Sequence, residues 1–325
     1  MRRLFTYLIC TGIVGSVIFS SLCFWLYVEF KKEGPLRQSE IILINRGMSV
    51  DSISKKLEAQ NIIFDRLVFK VSLRMFADSK SLKAGEYKVP ARSSPSEVIR
   101  ILQSGKQLFR SVTVAEGLTS SQVHSLIEGI EQLSGVIENT PEEGVLLPET
   151  YYFTYGETRM ALLDRMKKSM SQLTIKLWAN RAANLPIATI KDAIILASIV
   201  EKETSKSGER SHVASVFINR LRIKMRLQSD PTVIYGITLG KEPLGRRLTR
   251  SDLREASPFN TYLIKGLPPS PIANPGLKAI EAVLHPKKSN DLYFVADGKG
   301  GHVFAETLEE HNRNASHWRN IRDKN

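Results

Sequence analysis

The stretch Ile190–Thr204, IKDAIILASIVEKET, decides how the rest of the chain is read. Ile194, Ile195, Leu196, Ile199 and Val200 leave no polar face along its middle, so the segment is expected to be a helix buried on most sides. Two carboxylates, Glu201 and Glu203, close it. A carboxylate at a helix C-terminus meets the negative end of the macrodipole, and burial adds a desolvation cost. Both effects favour the protonated form, which a general acid needs near neutral pH. Two positions along a helix amount to about 200° of rotation. Glu201 continues the Ile194–Ala197 row and Glu203 the Leu196–Ile199 row, so at most one of them enters a given cleft. Spacing alone does not choose between them.

Other helices surround this one. Thr158–Trp178 reads as a long basic amphipathic helix, and Glu209–Ile223 as another with Val213, Val216, Phe217 and Leu221 as its stripe. Ser229-Asp230-Pro231 is expected to break the chain before Thr232–Gly236. Gly266–Pro271 is stiffened by proline, and Gly276–Leu284 and Thr307–Arg322 read as helices. Asp297–Gly301 between Leu292–Val295 and His302–Phe304 is a hairpin signal. Upstream, Leu146–Tyr155 is an aromatic-rich loop or strand, and Gln132–Gly144 reads as the least structured stretch and the best domain boundary.

The N-terminal part has its own pattern. Glu40–Ile44 and Gly85–Val89 read as strands, Val50–Ala59 and Arg66–Phe76 as helices, and Ser94-Pro95-Ser96-Glu97 as a capping box opening a helix Pro95–Ser104 that Gly105 ends. Ile41–Ile44, Gly47, Ser49, Ile53 and Leu57 are echoed by Val112–Val114, Gly117, Thr119, Val123 and Ile127. A strand, a glycine turn, a hydroxyl cap and an amphipathic helix begin the small glycan-binding module called LysM. Such units are common, and the pattern alone favours that plainer reading over LysM.

Leu4–Val28 carries no charge and is long enough to cross a bilayer as a helix, with Trp25 and Tyr27 suited to an interfacial belt. Arg2 and Arg3 before it favour a cytoplasmic N-terminus, while Lys31 and Lys32 after it weigh the other way. No small-x-small cleavage site closes the run, and bulky Leu22 before Cys23 speaks against a lipoprotein. An uncleaved anchor is expected, with a short polar linker, Lys31–Gln38, behind it. Cys10 and Cys23 both lie in this segment, so the body has neither a disulfide framework nor a thiol nucleophile. The 325 residues carry a net charge of +13, of which Arg2 and Arg3 account for little. A basic body on an export anchor points to anionic lipid or wall polymer rather than nucleic acid.

Several chemistries find no support. Asp297–Gly301 lacks the Gly-Lys-Ser/Thr of a phosphate loop. The six histidines form no HExxH, so no metal or other cofactor is expected, and no Gly-x-Ser-x-Gly is present. What remains is the acid-ended helix followed by Gln228, Asp230, Tyr235, Asn260 and Tyr262, groups that suit sugar hydroxyls and amides. A basic run, Asn219–Arg222 with Arg226, is as readily a solvated helix face as a substrate contact.

Ala197–Thr204 (ASIVEKET), Val213–Leu227 (VASVFINRLRIKMRL), Gln228–Gly236 (QSDPTVIYG), Gly266–Gly276 (GLPPSPIANPG), Tyr293–His302 (YFVADGKGGH) and Lys83–Tyr87 (KAGEY) occur in order, and with them the chain resembles the endolytic murein transglycosylases, the YceG-like family. It departs at Leu147 and Glu149, where Phe and Asp are expected, and in a shortened Gln132–Gly144. The resemblance implies an α+β chain: cytoplasmic residues 1–3, a membrane span 4–28, a linker 29–39, a LysM-like module 40–106 and a mostly helical catalytic domain 107–325 with short hairpins. It implies peptidoglycan glycan strands as substrate, an inner-membrane location with the body periplasmic, peptidoglycan synthases as partners, and Glu203 as the catalytic acid. Glu201, Gln228, Asp230, Tyr235 and Asn260 are the expected sugar-holding residues. The expected reaction is lytic, leaving 1,6-anhydro-muramic acid ends and limiting strand length. A lysozyme-type hydrolase using Glu201 or Asp230 as second carboxylate, and a non-enzymatic wall-binding scaffold, are the rivals.

Overall fold

A computed structural model describes residues 2–78, 80–206 and 208–322; Met1, at the start of the expected cytoplasmic segment, lies outside them. The described residues mix helices with short two-stranded sheets and divide into two compact units. The first runs to Arg110 and includes Phe153–Tyr155; the second holds Ser111–Tyr152 and the chain from Gly156 on.

The first unit begins with α1 (Arg2–Lys31), whose segment Phe5–Lys31 has a mean hydropathy of 2.0 over its best window. Its 27 residues span about 40 Å, the thickness of a bilayer with its headgroups. Then come β1 (Glu40–Ile44), α2 (Val50–Ala59), α3 (Arg66–Phe76), β2 (Gly85–Val89) and α4 (Pro95–Ser104). β1 and β2 pair antiparallel, Ile42 opposite Tyr87, with their buried residues facing Ile53, Leu57, Phe69, Val98 and Leu102. Ser94 and Glu97 form the expected reciprocal cap of α4, and Gly105 closes it in the left-handed region at φ 69°. The expected linker differs from the structure. Phe30 and Leu36 sit in this core, Gly34 N donates to Arg92 O, and Arg92 N returns to Leu36 O. A polar composition hid two apolar anchors, and Lys31–Gln38 is part of the unit.

The second unit contains β3 (Arg110–Thr113), α5 (Ser120–Glu128), β4 (Thr150–Phe153), α6 (Arg159–Ala179), α7 (Ile190–Glu203), α8 (Arg210–Arg222), α9 (Asp230–Thr238), α10 (Leu277–Leu284), β5 (Tyr293–Ala296), β6 (His302–Ala305) and α11 (Leu308–Arg322). α7 is its centre. Thr189 and Asp192 make a capping box at its start, and Ala193 and Ile195–Val200 are buried against α6, α8, α9 and α10. Ser198, the polar residue in that run, is satisfied: its hydroxyl donates to Ile195 O and accepts from Ile272 N. β5 and β6 form the expected hairpin.

Two expectations change here. Gln132–Gly144 is no boundary. The Arg159 guanidinium donates to the carbonyls of Glu128, Ile130, Leu133 and Gly135, Glu128 accepts from Ile137 N, and Ser120 Oγ holds Glu142 O. Side chains from outside the stretch supply the order that its own pattern lacks. Ser229-Asp230-Pro231 does not merely break the chain but starts α9, because a proline in a first helical turn gives up a donor that has no partner there.

Candidate functional site

The end of α7 parts its two glutamates. Glu201 turns into the protein, its side chain 4% exposed. Its Oε1 accepts from Arg210 Nη2 at 2.9 Å and its Oε2 from Gly276 N at 2.9 Å. The same guanidinium lies 3.3 Å from Glu116 Oε2. Burial, then the neighbouring Glu201 charge, push the Glu116 carboxyl up from its ordinary value. Gly276 is required by close approach, since a Cβ there would stand 1.9 Å from Glu116 Oε1. This cluster joins the end of α7, the start of α8 and the start of α10.

Glu203 faces the other way. It keeps part of its surface open while nearly all of its surroundings are protein. Its Oε1 accepts from Ser229 Oγ at 2.5 Å. Ser229 is fully buried at the N-cap of α9, yet its side chain does not cap that helix. Instead its N–H donates to Thr261 Oγ1, which meets Thr232 Oγ1 at 2.8 Å, and its hydroxyl is left for Glu203. Burial raises the Glu203 carboxyl to about 7; the Ser229 hydrogen bond pulls it down, the Asp230 charge pushes it up, and the Arg220 charge pulls it down. Arg220 is itself buried, donating to the carbonyls of Leu292 and Leu227, with its guanidinium 5.4 Å from the Tyr293 ring centre. Asp230 is exposed beside the site, and its Oδ1 accepts from Tyr262 Oη at 2.6 Å. Burial, then that bond, push the Tyr262 hydroxyl up. The Glu203 carboxyl, raised to about 7, can donate a proton at neutral pH and take one back.

The expected sugar-holding residues part company. Asp230 and Gln228 flank Ser229 and are exposed. Gln228 holds a left-handed backbone at φ 51°, fixed by its N–H to Thr261 O, a costly conformation for a residue other than Gly. Asn260 is 1% exposed, its amide donating to Leu253 O and Glu255 O and accepting from Tyr262 N, so its donors are spent and it is buried in shaping the loop. Glu201 is likewise used up by Arg210 and Gly276. Tyr235 sits against Phe259 and bonds Glu143, and its hydroxyl is pushed up to about 12 by burial and by the Glu143 charge. Tyr235 and Glu143 line a cavity of about 460 Å³ with Ile190 and Ile194, near the start of α7, about 14–20 Å along the axis from Glu203. Ser229 went unread in the sequence, where a Ser before Asp-Pro signals a cap and nothing more.

A family model described as the YceG-like family matches residues 42–317. An endolytic murein transglycosylase of Bacillus subtilis (strain 168) is 30% identical over 303 residues, covering 84% of this chain and 82% of that protein. One from Streptococcus pneumoniae is 28% identical over 322 residues, covering 84% of this chain and 57% of its own longer length. The crystal structure of a YceG-like protein from Listeria monocytogenes superposes with a TM-score of 0.50 at 29% identity, covering 85% of this chain and 99% of that one.

Proposed function

The chain belongs to the YceG-like family, and from that premise we propose that it is a membrane-anchored endolytic murein transglycosylase acting through Glu203. The observation that carries the reading is the largely buried carboxyl of Glu203, raised to about 7 at the end of α7, with its neighbour Glu201 tied to Arg210 and Gly276. Protonated Glu203 gives its proton to the glycosidic oxygen between N-acetylmuramic acid and N-acetylglucosamine as the C1–O bond breaks. The resulting carboxylate takes the proton of the muramic acid's own C6 hydroxyl, whose oxygen closes on C1 as a 1,6-anhydro ring. The proton count closes, no water is consumed, and one carboxyl serves both steps in turn. Intramolecular attack has a high effective molarity, which replaces the second carboxylate a hydrolase uses. Arg220 steadies the transient carboxylate, and Asp230, held by Tyr262, with Gln228 is the sugar-facing edge.

The β1–α2–α3–β2 order of the first unit supports reading residues 40–106 as a LysM-like glycan-binding module. The apolar α1 supports a single-pass anchor; on this reading Arg2 and Arg3 stay in the cytoplasm, the body lies outside it with its substrate, and cleavage there limits strand length. The test is to incubate the full-length chain in detergent with purified peptidoglycan and weigh the new ends. Ends lighter by one water than a reducing sugar support the lyase. Reducing ends establish the hydrolase instead, with Asp230 as the second carboxylate, and intact glycan establishes the scaffold.

A further inference from the structure

The first unit carries an apolar face that its core does not use. Phe64, Leu67, Val71 and Met75 are 62, 59, 39 and 45% exposed. The last three recur every four residues and so form one stripe along α3. The opposite side of that helix, Phe69 and Ser72, is buried. An exposed stripe of this kind on a small module marks a contact surface.

What covers it follows from where α3 stands on α1. The Phe76 ring lies 5.7 Å from Tyr27 and 5.6 Å from Phe30, and Lys32 Nζ lies 5.7 Å from the Phe64 ring. Both ends of α3 are therefore tied to residues 27–32 of the apolar helix. Leu26 and Phe30 are 8 and 5% exposed, so the module already covers α1 at the level where the charge-free run ends. A hydrocarbon core about 30 Å thick takes about 20 helical residues, which leaves Trp25–Lys31 in the headgroup layer. α3 packs at that depth. Trp25 and Val28 on α1 are exposed apolar residues, as Leu67, Val71 and Met75 are on α3, and Lys31, Lys32, Arg66 and Arg74 are the basic residues beside them in sequence. Lys32 is shared with Glu29, and Lys70 is drawn off to Asp51.

We infer that the Leu67–Met75 face of α3, with Phe64 just before the helix, lies in the interfacial layer of the membrane, seating the N-terminal module on an anionic lipid surface. The inference rests on α1 being a membrane anchor. α1 then passes into the module without a flexible joint, and the module is held at a fixed height and tilt. An amphipathic helix with an apolar face and basic flanks is the form an interfacial lipid contact takes.

The experiment uses the full-length chain with Cys10→Ala and Cys23→Ala, reconstituted into vesicles of phosphatidylglycerol and phosphatidylethanolamine. One cysteine carrying an environment-sensitive fluorophore is placed at a time, as Val71→Cys, Met75→Cys, Ile13→Cys or Lys106→Cys. The expected result is a blue shift and loss of emission at 71 and 75 with lipids bearing a shallow nitroxide, loss at 13 with a deep nitroxide, and neither at 106. Water-like, unquenched emission at 71 and 75 with quenching at 13 overturns the seat and leaves the anchor standing. A blue shift at 71 and 75 without quenching means protein covers the stripe, which also overturns it. No quenching at 13 removes the anchor and the seat together.

Discussion

Replacing Glu203 by Gln should remove nearly all lytic activity and make the folded chain more stable above neutral pH. Gln keeps the volume and an oxygen that accepts from Ser229 Oγ, so the shape of the site is retained. The carboxyl holds its proton to about 7 in the folded chain against an ordinary 4.5. Between those values the folded state binds more protons than the unfolded state, so stability falls as pH rises through the window and the full cost stands above it. Each pH unit is worth 1.36 kcal/mol, which puts the cost of the ionised, desolvated carboxylate at about 3 kcal/mol. Glu203→Gln removes that cost. Denaturant unfolding at pH 8 should show the variant more stable by an amount of this order, and the gap should close towards pH 4.5. Activity moves oppositely: the parent rate should fall about tenfold per pH unit above 7, and the variant, with no proton to give, should lose about 10²–10⁴-fold. A variant no more stable than the parent at pH 8 refutes the raised carboxyl. One that still makes anhydro ends near the parent rate refutes the assignment of the acid.

Three further outcomes follow from the same geometry. Ser229→Ala removes the hydrogen bond that pulls the Glu203 carboxyl down, and Asp230→Asn removes the charge that pushes it up, so pH–rate profiles should show the alkaline limb moving to higher pH in the first and lower pH in the second. Glu201→Gln leaves Arg210, 10% exposed, with Glu116 as its remaining carboxylate, and should cost about 3 kcal/mol in denaturant unfolding, with turnover per folded molecule retained only on the acid side of the alkaline limb. Deleting residues 40–106 should weaken binding to wall polymer in pull-down more than it slows cleavage of short glycan fragments; equal losses would make the module part of the catalytic core.

What could be read in advance was local. α2, α3, β2 and α4 run between the residues expected from their caps and periodicity, because Ser49, Asp65 and Ser94 each satisfy N–H groups within their own first turn. α7 was legible because a run of apolar residues that long admits only a buried helix. Features decided across the chain were not. Nothing in Gln132–Gly144 announces that Arg159, downstream of it, will take up its carbonyls. Composition made Asn260 a sugar ligand, whereas a loop closing on its own amide consumed it. Ser229 carries the ordinary signature of a helix cap, and only the packing of Thr261 against it frees the hydroxyl for Glu203.

The two glutamates show how one helix end holds two unlike carboxyls. They share a dipole and lie two residues apart, so neither the macrodipole nor sequence distance separates their roles. Rotation does, because it delivers Glu201 to a guanidinium and a backbone N–H and delivers Glu203 to a hydroxyl and a partly open surface. The closed cluster has a use for the open one. A carboxyl raised by burial to about 7 sits in a strained setting, and the chain could relieve it by rotating or fraying the last turn of α7. Arg210 and Gly276 tie that turn to α8 and α10 through Glu201, two residues before the acid, so the relief is closed off. On this argument Glu201 is a positioning residue, and its loss acts on Glu203 only by loosening the helix end. The Glu201→Gln variant should therefore have an alkaline limb moved towards the ordinary carboxylate range, as the freed Glu203 gains water, whereas a purely structural Glu201 would lower stability and leave the limb where it was.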